Sequence, residues 1–297
     1  MQDNALFVTW TMDCETINEE CATGGPENWG LSERAVTGYV QALADRGHAA
    51  TLFLIPRMGE VQADTLMDLG RQGVDLGMHM HPQTTDYGHD AHLGQLPADT
   101  QRALLGDGRE RLLSALGEAP TSYRSGCFSA SDETFGILAQ LGFTQGSVSL
   151  PGRVLPDIGA VWDGAEPFAH WASADDRRRA GDLPFLELPT AVDLDDVPQD
   201  EGQTGDARHL RLEREGICEW GPDLVRRHLA RQIEMDCQPK SLVVMTHNTR
   251  EYGDPCDMYR QNLEAVADMI EHAAQEARLN IVPATLAQVR AAATTWP

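Results

Sequence analysis

Val74-Asp75-Leu76-Gly77-Met78-His79-Met80-His81-Pro82 is the stretch whose reading decides the fold. An apolar run closed by a proline predicts a short buried strand. Side chains two apart in a strand lie on one face, so His79 and His81 point together while Met78 and Met80 point the other way. Neutral imidazoles presented in this manner suit one shared metal ion, zinc or a neighbour. Taken alone, the pair reads equally well as two partly exposed histidines before a turn proline.

Outward from this strand, strand-like runs alternate with helix-period stretches, the pattern of βα units around a parallel sheet. Leu6–Asp13 reads as the first strand. Ser32 opens a helix running to Arg46, with Val36, Val40 and Leu43 on one face and Gly47 as its stop. Ala50–Ile55 is a strand, Ala63–Gln72 a helix, and Pro97–Leu116 a helix weakened by Gly106 and Gly108. Ser122–Arg124, a helix over 131–141 and a short strand after Phe143 follow. Phe185–Leu188 and Leu242–Thr246 are strands, with helices over Pro222–Met235 and Asp257–Arg278, and a last strand and helix close the chain. Residues 151–181, rich in Pro, Gly, Asp and Trp, give no assignable element. The expected fold is α/β: one domain over 1–297, a distorted (β/α) barrel of about seven strands with a long irregular insertion near 151–215.

The composition narrows the partners. A chain of 297 residues with 41% hydrophobic content can bury a sizeable core, and no apolar run approaches a membrane span. A net charge of -23 argues against nucleic acid or an anionic membrane, both of which need basic patches. Positive charge comes almost wholly from arginine, with Lys240 the only lysine, as in salt-adapted or GC-rich sources. The six cysteines show no CxxC spacing, so reduced thiols are expected. The chain enters strand-like Ala5-Leu6-Phe7-Val8 without a basic region and cleavage site before it, which predicts a cytoplasmic protein.

Reactive residues fall at the ends of these strands. Asp13 and Glu15 follow the first, His79 and His81 end another, Arg124 a third, Glu187 sits in a fourth, and His247 ends Leu242–Thr246. In a β/α barrel the strand C-termini form the active site, several strands presenting one residue each. Strand geometry also puts Thr9, Thr11, Asp13 and Glu15 on one face. Neighbouring carboxylates resist joint ionisation unless a cation lies between them. A metal held by one and a water activated by the other would resolve that tension, although solvated acids after a strand are the simpler reading.

The ordered set resembles the polysaccharide deacetylases of carbohydrate esterase family four, most nearly the branch found with surface polysaccharides. Carrying the likeness are Asp13-Cys14-Glu15, His79-Met80-His81-Pro82, and Tyr123-Arg124-Ser125-Gly126 with its helix and Leu141-Gly142-Phe143. Trp162-Asp163, Glu187-Leu188-Pro189, and Met245-Thr246-His247 with Glu251 and Pro255 complete it, from about Leu6 to Leu286. The resemblance implies a distorted (β/α) barrel that removes N- or O-acetyl groups from a sugar or polysaccharide precursor. It implies one divalent metal, zinc first, with cobalt, nickel or manganese as alternatives, held by Glu15, His79 and His81. Asp13 would be the general base, His247 the general acid, and Arg124 the group that orients Asp13. Oxyanion charge would fall on the metal and a nearby backbone N–H.

Two departures stand out. Many members carry adjacent aspartates where this chain has Asp13-Cys14, so Glu15 is taken as the ligand, with Asp13 and Cys14 as alternatives. Many space the histidines four apart rather than two. Trp29, Trp162, Asp163 and Phe168 are expected to line a sugar groove, or else to anchor the insertion. Glu187 is expected to support the site from behind. Specificity would reside in loops 16–31 and 83–97 and in the insertion, acting on a small-molecule or oligosaccharide substrate. The alternatives are a cyclic imide or ureide hydrolase on the same scaffold and a non-catalytic carbohydrate-binding barrel, against which an intact acid–base set argues. An amidohydrolase fits poorly, since its His-x-His pair belongs on the first strand and Lys240 is the only lysine.

Overall fold

β1 (Ala5–Cys14) alternates strictly, and that alternation builds the molecule in two layers. Leu6, Val8, Trp10, Met12 and Cys14 face an outer core between sheet and helices, whereas Phe7 joins an inner cluster. The computed structural model describes residues 4–15, 28–84, 86–196 and 206–293. After β1 come α1 (Trp29–Ala44), β2 (Ala50–Leu54), α2 (Pro56–Val61), α3 (Ala63–Arg71), β3 (Asp75–Met80) and α4 (Ala98–Leu116). Next are β4 (Ser122–Ser125), α5 (Thr134–Gln140), β5 (Gln145–Gly146), β6 (Val154–Leu155), β7 (Ala160–Val161), β8 (His170–Trp171) and β9 (Leu186–Glu187). β10 (Val192–Asp193), β11 (Arg208–His209), α6 (Ile217–Glu234), β12 (Lys240–His247), α7 (Met258–Glu276), β13 (Asn280–Pro283) and α8 (Leu286–Ala293) end the described chain.

The main sheet runs β12-β1-β2-β3-β4-β5-β9-β8. Its seven strands from β12 to β9 are parallel neighbours, β8 is antiparallel to β9, and β13 pairs with the first residues of β1. The ladder stops between β9 and β12, and extended chain fills the gap. There Ala191 N–H donates to Val243 O at 3.1 Å, Met245 N–H to Leu210 O at 2.9 Å and Leu212 N–H to Met245 O at 3.1 Å. The α/β fold is thus a curled parallel sheet, the distorted (β/α) barrel expected.

Outside the sheet, Met78 and Met80 of β3 and Trp10 and Met12 of β1 pack in one cluster with Val36, Tyr39 and Leu43 of α1, Leu105 and Leu112 of α4, and Leu263 and Val266 of α7. Burying each such side chain contributes about 1.5–3 kcal/mol. Inside, Phe7, Phe53, Val243, Leu186 and Leu188 meet Leu286 and Val289 of α8, which plugs the strand N-terminal end. The polar layer therefore lies at the opposite end. No helix among the described residues is long and apolar enough to cross a membrane.

Several elements differ from the sequence reading. α4 runs unbroken through Gly106 and Gly108. A Cβ on Gly108 would lie 2.8 Å from Met80 Cε, so the glycine permits close helix–sheet approach. α6 begins at Ile217, with Pro222 inside it, where the missing N–H forgoes one backbone bond. α2 was not anticipated, and the insertion holds a β6–β7 hairpin as well as β8.

Candidate metal centre and active site

Inward-facing positions at the strand C-termini carry the chemistry. Asp13 sits opposite His247 in the β1–β12 register, and His79 opposite Arg124 between β3 and β4. Arg124 is fully buried, its Nη1 2.9 Å from Asp13 Oδ1 and 2.8 Å from Thr11 Oγ1. Nε donates to Ser147 O at 3.1 Å, and the guanidinium lies 4.6 Å from the centroid of the Phe53 ring. A planar group with several fixed donors suits this bridging. It holds one oxygen of Asp13 and leaves Oδ2 toward the lumen, 3.9 Å from His247 Nε2.

Glu15 Oε1 lies 3.1 Å from His79 Nε2 and 2.9 Å from His81 Nε2. His79 Nδ1 is 3.0 Å from Arg124 O. A carbonyl only accepts, so Nδ1 carries the proton there and neutral His79 turns a lone pair at Nε2 toward the carboxylate. Lone pairs facing one another ask for a cation, either a proton or a metal ion. Ligand atoms of Glu15, His79 and His81 all lie within 4.8 Å of one another, and two imidazoles with one carboxylate is a donor set that catalytic zinc takes. The residues therefore fit a divalent ion. Burial pushes the Glu15 carboxyl up, but His81 and His79, with His247, hold it well below the usual range.

Local backbone explains why these rings meet. His81 follows the last residue of β3, and a Cβ on Gly126 would stand 2.6 Å from its Cε1 and Nδ1. Only glycine leaves room for the ring there. The next two residues, Cys127 and Phe128, adopt φ of 54° and 57°, a left-handed conformation that costs non-glycine residues on the order of 1–3 kcal/mol each. Asn248 clamps Glu15 by its backbone, accepting from Glu15 N at 3.0 Å and donating to Glu15 O at 3.1 Å.

His247 has a partner that sequence reasoning missed. Glu213 Oε1 lies 2.9 Å from His247 Nδ1 and accepts from Thr246 Oγ1 at 2.9 Å, while Arg211 Nε reaches Oε2 at 3.2 Å. Burial and the Arg211 charge push the His247 pKa down, and Glu213 with Glu15 outweighs them, so it is raised. Burial acts on Glu213 as well, yet His247 and Arg211 bring it down to about 2. The charged run Arg211-Leu212-Glu213-Arg214 was the sole sequence signal, and it carries no periodicity.

Other expected site residues lie elsewhere. Trp162 is fully buried, its Nε1 donating to Phe128 O at 2.7 Å, and Phe168 is buried against His228. Neither ring offers a face to a sugar; both anchor the insertion. Asp163 is exposed on a turn within the charge field of Arg178. Trp29 is half-buried in the first turn of α1, beside residues 16–27 of the expected specificity loop, which lie outside the described residues. Cys14 faces the outer core with its thiol on Met12 O, which removes it as a ligand. Glu187 points away from the lumen, accepting from Val148 N, Ser149 N and Ser149 Oγ at 2.7–3.1 Å. That pins the segment whose Ser147 carbonyl receives Arg124.

Solved structures of low identity share this fold. A proposed polysaccharide deacetylase from Mycobacterium smegmatis superimposes with a TM-score of 0.63 at 16% identity, over 99% of this chain and 92% of that one. One from Pseudomonas aeruginosa PAO1, also a proposed polysaccharide deacetylase, gives 0.59 at 14%, over 97% and 91%. Puue allantoinase gives 0.58 at 12%, over 96% and 89%. At these identities the likeness is one of fold. Comparison with curated proteins found no match. Residues 25–146 match the family model of polysaccharide deacetylases. That segment, less than half of the chain, is thus similar to polysaccharide deacetylases, hydrolases that act on amide or ester bonds. The matched segment includes His79, His81 and Arg124, whereas Asp13, Glu15, Glu213 and His247 join them through the tertiary fold.

Proposed function

We propose that this protein is a metal-dependent deacetylase that removes acetyl groups, N-acetyl foremost, from a sugar or polysaccharide precursor. One observation carries the reading: the Glu15–His79–His81 cluster lies beside Asp13 and His247, with His247 Nε2 3.9 Å from both Asp13 Oδ2 and Glu15 Oε1. Glu15, His79 and His81 would hold one divalent ion, zinc first. When bound, that ion polarises an acyl carbonyl and lowers the pKa of water.

The chain's own groups do the rest. Asp13 Oδ2 takes a proton from the attacking water while Arg124 holds Oδ1, so the base keeps its orientation. As oxygen adds to the acyl carbon and the carbon–nitrogen bond breaks, His247 Nε2 gives its proton to the departing amine. Glu213 favours the charged form of His247 and holds its Nδ1–H in line. The products are acetate and the free amine.

The test combines metal analysis of untagged protein with acetate release from a panel of acetylated sugars. Near-stoichiometric divalent metal, lost with His79→Ala, and acetate release lost with Asp13→Asn or His247→Ala are expected. Metal-replete protein that releases no acyl group from any sugar, or that opens cyclic ureides instead, overturns the reading.

A further inference from the structure

We infer that the proposed deacetylase site takes an acetylated sugar that also carries an anionic group, a carboxylate or a phosphate, received by Arg211 and Arg214 beside the Glu213–His247 pair. The inference rests on the deacetylase reading and adds the charge of the substrate to it.

Two short chains of contacts lead from the reactive centre to the same cationic patch. On one side His247 binds Glu213, and Glu213 binds Arg211. On the other, Arg153 Nη1 donates at 3.1 Å to the carbonyl of Cys127, an exposed residue next to the glycine that seats His81. Arg153 forms a two-pronged pair with Asp206 at 2.6 and 2.7 Å, and Arg214 Nη2 reaches the same carboxylate at 3.2 Å. The two chains converge in one turn, where Arg214 N–H donates to Arg211 O at 3.0 Å, and burial with the Arg211 charge disfavours the charged form of Arg214.

Among the described residues, charge does not balance there. Three guanidiniums share the carboxylates of Asp206 and Glu213, and Glu213 also serves His247. Burial and Arg214 hold the nearby His209 neutral, down to about 3, so guanidiniums carry the surplus. Arg153 is buried, and each of its three guanidinium nitrogens already donates. Arg211 and Arg214 keep 30% and 42% of their side chains exposed. Among the described residues the Arg211 guanidinium donates only through Nε and that of Arg214 only through one Nη. The remaining forked N–H groups suit carboxylate or phosphate oxygens. In a chain of net charge -23, a local excess of positive charge draws an anion that the rest of the surface repels.

Calorimetric titration with glucose, glucuronate and glucose 1-phosphate separates this inference from catalysis, because none of the three carries an acyl group. At least one anionic sugar is expected to bind tenfold or more tightly than glucose. That preference should fall at least fivefold in Arg211→Gln or Arg214→Gln, and should weaken as NaCl rises. Whichever anion binds tighter identifies carboxylate or phosphate as the natural group. Equal affinities, or a preference unchanged in both variants with unaltered melting temperatures, overturn the inference and put any bound anion at the metal ligands. Acetate release is measured separately: the anionic preference without deacetylation leaves the subsite standing and removes the deacetylase.

Discussion

His247 Nδ1 and Glu213 Oε1 stand 2.9 Å apart in a partly buried pair, and Glu213 lies in a segment that sequence periodicity does not mark. The contact makes His247 an acid for the proposed reaction, because it favours the imidazolium against burial and against Arg211. An acid of this kind works below its pKa and fails as pH rises through it. Glu213→Gln removes the favourable charge, so the basic limb of the kcat/KM profile is expected to move to lower pH. His247→Ala should cost on the order of 10²–10⁴ in kcat. A basic limb unmoved in Glu213→Gln would sink the assignment.

Gly126 offers a test of the metal centre without touching a ligand. A methyl group there would meet the His81 ring and the Met80 carbonyl oxygen at 2.6 Å, so the ring must turn and the end of β3 must shift. Gly126→Ala is expected to stay folded and to lose roughly 10–100-fold in metal affinity, as when a supporting neighbour of a ligand is disturbed. Competition with a chromogenic chelator measures it.

Arg124 joins stability to the proposed chemistry. Arg124→Met would leave Asp13 buried beside an apolar side chain, a loss of about 3–5 kcal/mol, read by urea unfolding. Arg124→Lys restores charge but not the fork that reaches Asp13, Thr11 and Ser147 together. It is expected to recover more stability than activity.

Glu187 gives a pH signature of its own. Burial pushes its carboxyl up to about 7, against the bonds from Ser149 and Val148. The folded protein therefore holds this proton between the unfolded carboxyl value, about 4.3, and about 7. Across that window the unfolded chain has already lost it. Stability contributed by the protonated form is complete below the window, declines through it and is gone above. Glu187→Gln should flatten the unfolding free energy over that range, as followed by denaturant titration at stepped pH. A slope identical to that of the parent protein would remove Glu187 as its source.

Much of the site is legible because strands make sequence periodic. His79 and His81 share a face, and Thr11 and Asp13 share another, as period two requires. Glu187 shows where that logic fails: its strand is short, neighbouring Leu186 and Leu188 fill the lumen, and the acid faces outward. Trp162 and Phe168 looked like a sugar platform since aromatic residues serve both surfaces and cores. Burial alone separates the two uses, and it assigns them to the core.

The sequence by itself determined the alternating βα order, the inward set Asp13, His79, Arg124 and His247, and the match to polysaccharide deacetylases. Each follows from local spacing, which the chain carries wherever it folds. Tertiary structure alone decided that Glu213 holds His247, that Asn248 clamps Glu15, and that Arg153 and Asp206 pair. Those contacts join irregular segments across the curl of the sheet, and no residue period reports which of two distant loops will touch.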